Sequence, residues 1–108
     1  MQNRNKLVDL FIGNITNYIV HKILEMAIDN LEIINKYKKE SKVSFEIAKI
    51  YRDKINPSTK LPDSIDVKKR IIQRVKIKLN ERIKEGYKRI NLDLVETITS
   101  ETLEKLRV

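Results

Sequence analysis

The chain contains no cysteine, which removes disulfides, thiolate zinc sites and cysteine nucleophiles together. Histidine occurs once, as His21, so a serine-based mechanism has a single imidazole to draw on. The five serines fall mostly at predicted turn and cap positions, where capping accounts for at least some of them. The two glycines, Gly13 and Gly86, lie 73 residues apart, which excludes a glycine-rich loop that cradles phosphates. Paired Glu-x-x-His motifs of the kind that build metal sites in helical bundles are missing as well. No stretch approaches the 18 or so uncharged apolar residues of a membrane span. The apolar segment Leu7–Ile15 is interrupted by Asp9, Gly13 and Asn14 and has no small-residue cleavage site, so it does not read as a signal peptide. These absences point away from an enzyme, a cofactor, a metal or a membrane, and leave the cytoplasm as the expected location.

What is there is helical. In 108 residues, 41% are hydrophobic and 35% are charged, against a usual charged share of about 25%. Normal apolar content argues for folding rather than disorder, and the length suits one domain with its own core. With only two prolines, the breakers nearly write the topology. Pro57 and Pro62 bracket a loop over 56–63, and apolar residues recur at helical spacing on both sides.

The spacing predicts a first helix from about Lys6 to Lys39. One stripe of it is polar: Asn14, Tyr18, His21, Glu25, Asp29, Glu32 and Lys36. It is expected to face water. The opposite arc, from Ile12 through Val20, Ile23 and Ala27 to Ile34, spans about half the circumference, more than an ordinary surface helix needs. Such a helix would be about 50 Å long, against a radius of gyration near 13 Å for a compact domain of this size. Either Gly13-Asn14 breaks it, or it extends into a partner subunit. Ser41–Ser44 reads as a turn, with Ser44 capping a second helix, Phe45–Ile55, whose apolar face is Val43, Ile47, Ile50 and Tyr51. Asp63 or Ser64 caps a third helix, about Ile65–Ile90, with a seam of Ile72, Val75, Leu79, Ile83, Tyr87 and Ile90. Thr99 or Ser100 caps a short last helix, while the β-branched run Val95–Thr99 reads equally as extended chain. The predicted fold is an all-α small helical bundle of three to four helices, with long first and third helices, intertwined as a dimer if the first is continuous.

Net charge is +8, and residues 65–90 alone carry ten cations and three acids. With Leu79 inward, Arg70, Arg74, Lys84 and Lys88 lie on the expected solvent face, flanked by Lys69 and Lys78. A basic helical strip of this kind suits phosphate backbones, although no aromatic residue in it offers a stacking platform. Two functions follow. The first is a structural or protein-interaction module that self-associates through the N-terminal helix and its broad apolar arc. The second is a nucleic-acid-binding module that contacts phosphates through Arg70, Arg74, Lys84, Lys88, Lys69 and Lys78.

Overall fold

The first apolar run doubles back on itself at neither of the two expected breaks. The computed structural model describes residues 4–56 and 64–108, and within them forms four α-helices and no strand: α1 Arg4–Ala27, α2 Leu31–Ile55, α3 Ser64–Lys84 and α4 Leu94–Lys105. The loop prolines Pro57 and Pro62 and the cap candidate Asp63 lie outside the described residues. No helix among those described is long and apolar enough to cross a membrane.

The break falls at residues 28–30. Asn30 caps α2: its backbone is extended (φ −69°, ψ 112°) and its side-chain oxygen accepts from the Ile33 amide at 3.2 Å. A single N-cap asparagine thus turns a predicted 50 Å rod into an antiparallel hairpin, and the molecule measures 41 × 24 × 21 Å. Gly13 stays inside α1, where Asn14 returns its amide to the Leu10 carbonyl at 2.8 Å. Ser41 and Ser44 do not make a turn. Ser41 is buried within α2 and donates its hydroxyl to the Lys38 carbonyl at 3.0 Å, so its hydrogen bonding is met inside the helix.

From Leu10 to Val20 α1 carries no charged residue, and a helix apolar nearly all round belongs in the interior. Accordingly Phe11, Ile12, Ile15, Ile19, Ile23 and Leu24 are buried, with α2 on one side and α3 and α4 on the other. The broad arc that suggested a partner subunit is therefore consumed within the chain. α3 buries Val67, Ile71, Val75 and Leu79, an i,i+4 row rotated from the predicted seam, and Ile83 is left exposed.

α3 stops at Lys84 because Gly86 adopts φ +113°, which lets the Gly86 amide bond Ile83 and the Tyr87 amide reach back to Arg82. Gly86 is thus a terminator, not an interior residue, and Tyr87, Lys88 and Ile90 leave the α3 register. α4 begins at Leu94, not at Thr99 or Ser100, and contains the whole β-branched run. Val95, Thr99, Thr102 and Leu103 face the core, and the Thr102 hydroxyl satisfies itself on the Ile98 carbonyl at 2.7 Å.

Helix α2 has one helical neighbour. It lies on α1 and against neither α3 nor α4, so the assembly is an open stack, not a closed ring of four helices. Three side chains tie it down beyond α1, one of them Asp53, which pairs with Arg107 at 3.2 Å. Tyr37 meets Tyr87, hydroxyl to hydroxyl, at 3.1 Å. Arg52, 1% exposed, reaches the C-terminal turn, donating to the carbonyls of Leu106 (2.8 Å) and Arg107 (2.9 Å) and to Asn56.

Candidate functional site

Because α2 is packed on one side only, its outer side decides what the molecule presents. The inner row is Tyr37, Ser41, Ala48 and Arg52, all buried. Two of these are polar, and that is why apolar periodicity alone selected a different face. Val43, Ile47 and Ile50, predicted as the core face of this helix, point outward and are 55%, 37% and 54% exposed. They stand at i, i+4 and i+7, the spacing of a helix-docking stripe. Lys36, Lys39, Glu46 and Lys54 rim them, and all four are exposed. A shallow hollow of 470 Å³, lined by His21, Lys39, Glu40, Val43 and Ser44, borders the N-terminal end of the stripe.

Beneath α2, the first half of the predicted polar stripe is covered rather than solvated. Tyr18 packs on Phe45 with ring centroids 5.0 Å apart, and His21 stacks on Tyr37 at 5.4 Å. The His21 Nε2 lies 3.3 Å from a Glu40 carboxylate oxygen, while its Nδ1 is buried with no hydrogen-bond partner among the described residues. Burial pulls the His21 pKa below its ordinary 6.5, against the pull of Glu40 and Glu25 and with the help of Arg82 and Lys78. A neutral ring with its proton on Nε2 fits this setting, since protonation would leave a buried cationic N–H unpaired. Burial, reinforced by the Tyr87 hydroxyl, pushes the Tyr37 phenol up to about 12. The remainder of the stripe is lost at the hairpin. Asp29 sits beyond the end of α1 and pairs with Arg89 at 2.7 Å, which holds its carboxyl below the usual range, and Glu32 opens α2.

Apart from Lys68, the α3 cations divide into three groups. Arg70 does not face solvent squarely: it leans onto α1 and binds Asp9 at 2.6 Å. Arg74 and Lys78 follow it along the same edge, above α1. Lys76 pairs with Glu96 of α4 at 3.9 Å, and Arg82 with Glu85 at 3.4 Å. Lys69 and Lys84 are exposed on α3, whereas Lys88 lies beyond Gly86 and off the helix. The structure brings together Arg70, Arg74 and Lys78 but does not align them with Lys84 and Lys88 as one strip. The outward stripe of α2 and the buried Arg52 were missed from sequence. The only signal for them was a helix with apolar residues on two faces.

No protein-family model, no curated protein and no solved structure matches this chain.

Proposed function

We propose that this protein is a homodimeric interaction module, two copies of which pair through the outer faces of their α2 helices. The observation that carries the reading is the stripe Val43, Ile47 and Ile50, left exposed on a helix that has a neighbour on only one side. A helix in a closed bundle rests on two others, and a second α2 supplies the missing one. Pairing identical faces about a two-fold axis is the commonest way for a chain to meet such a need.

The arrangement is antiparallel, with Val43 on the two-fold. It sets residue i level with residue 86 minus i of the other copy. Glu32 then stands level with Lys54 of the second copy, twice by symmetry. Ile47 and Ile50 come level with Lys39 and Lys36 of the second copy, whose alkyl stems cover them, and Glu46 comes level with Glu40, which Lys36 of its own helix already pairs at 4.0 Å. At 1.5 Å per residue, 25 residues of α2 provide a contact line of about 37 Å. The nucleic-acid reading has less support, because Arg70 is taken up by Asp9 and Lys88 lies beyond Gly86, so its six cations do not form one strip.

Sedimentation equilibrium tests the proposal. The 12.8 kDa chain should run at twice that mass. Ile47→Glu, at an exposed position, should give a monomer with unchanged helical circular dichroism. Lys54→Glu should weaken pairing, and Glu32→Lys in the same chain should restore it. A wild-type monomer at high concentration would contradict the reading.

A further inference from the structure

Between α1 and α3, away from the α2 face, runs a groove of 340 Å³ that belongs to no packing contact described above. Gly13 sits at its floor. A glycine inside a helix costs about 1 kcal/mol relative to alanine, and the usual structural reasons for accepting that cost are missing here. The backbone is helical, and a Cβ at this position would meet nothing within 4 Å. The missing side chain therefore serves no close approach within the chain; what it does is keep the groove open.

Charge in the groove is one-sided. Asp9 is taken up by Arg70 at 2.6 Å. Arg74 and Lys78, on the opposite wall, have no carboxylate partner among the described residues, which leaves two positive charges uncompensated over the floor. Hydrogen-bonding groups line the α1 side. Thr16 is fully buried with a hydroxyl that has no partner among the described residues, and Asn17 offers an exposed amide. Two adjacent cations facing a neutral donor match a compact dianion with several acceptor oxygens. The volume lies at the small end of the range for ligand pockets.

We propose that this groove binds a phosphate group, with Arg74 and Lys78 as its charge partners and Asn17 as a hydrogen-bond donor. The proposal does not depend on α2 pairing, since the two faces share no residue.

The test is calorimetric titration at low ionic strength with three probes: inorganic phosphate, phenyl phosphate and a short oligothymidylate. Amide shifts at Gly13 and Thr16 locate the site. Arg74→Gln should weaken binding about tenfold or more, and Lys84→Gln, outside the groove, by less than about twofold. Gly13→Leu should fill the groove and abolish binding while leaving the melting temperature unchanged or higher, which separates occlusion from unfolding. Binding of the two small probes through the groove assigns it to free phosphate or a phosphate monoester. Binding of the oligonucleotide alone, with the same variant pattern, assigns it to a chain phosphate. Equal losses from Arg74→Gln and Lys84→Gln, unchanged binding in Gly13→Leu, or no binding of any probe would each overturn the proposal.

Discussion

The Arg52 side chain donates a 2.8 Å hydrogen bond from Nε to the carbonyl of Leu106, a residue 54 positions away. With the bonds to Arg107 and Asn56, it closes the end of α2 against the last turn of α4. That turn has its own requirement: Arg107 stands at φ +59°, and the Val108 amide returns to the Leu103 carbonyl at 3.0 Å. Arg52 thus supplies donors to carbonyls that the end of a helix leaves open.

Arg52→Met keeps the volume and removes the donors. Buried hydrogen bonds from a charged group are worth about 1.5–3 kcal/mol, so this substitution should cost about 3 kcal/mol in urea unfolding. Amide exchange at residues 106–108 should accelerate at the same time. Arg52→Lys keeps the charge but not the fork and should recover only part of the loss. A cost under about 1 kcal/mol would mean that the C-terminal turn is held by Leu106 and Val108 packing instead.

Acid should loosen the α1–α2 hairpin through His21. Its pKa is depressed in the folded state, so between that value and 6.5 the unfolded chain binds more protons than the native one. The stability contribution is full above pH 6.5 and is lost as pH falls below it. Melting temperature measured from pH 7.5 down to pH 5 should therefore drop, and His21→Gln should flatten the curve in that window. A wild-type protein that gains stability on acidification would show that the Glu40 carboxylate, not burial, governs this ring.

The two glycines should respond to alanine with opposite signs. At Gly13 the backbone is helical and the space is open, so Gly13→Ala should raise stability by about 0.4–1 kcal/mol. At Gly86 the backbone is left-handed, so Gly86→Ala should cost about 1 kcal/mol or more and fray the end of α3. Thermal unfolding of the two variants reads both effects. The same sign in both would contradict the assignment of Gly86 as the helix terminator.

Helical character was legible through the first three helices because apolar spacing survives there, but not over Val95–Thr99, whose β-branched side chains also read as extended chain. The boundaries were less legible. Asn30 ends one helix and caps the next without glycine or proline, so the wheel runs across it unbroken, whereas Ser41 and Ser44 look like a turn and sit inside α2. Gly86 looks tolerable in a helix until its φ is known. The face of α2 was misassigned for a physical reason: its buried side carries Ser41 and Arg52, whose polar atoms are satisfied by carbonyls the sequence does not reveal. Counting cations located α3, but the rotation of its seam turned Arg70 and Arg74 toward α1.

Because the chain has no native cysteine, one introduced thiol reports pairing without ambiguity. Val43→Cys lies on the proposed two-fold axis, where two copies of the residue face each other within disulfide reach. Mild oxidation should convert this variant to a covalent dimer rapidly. Ile77→Cys, similarly exposed but on α3, should form no covalent dimer under the same conditions. Cross-linking of Val43→Cys no faster than that of Ile77→Cys would contradict pairing through α2.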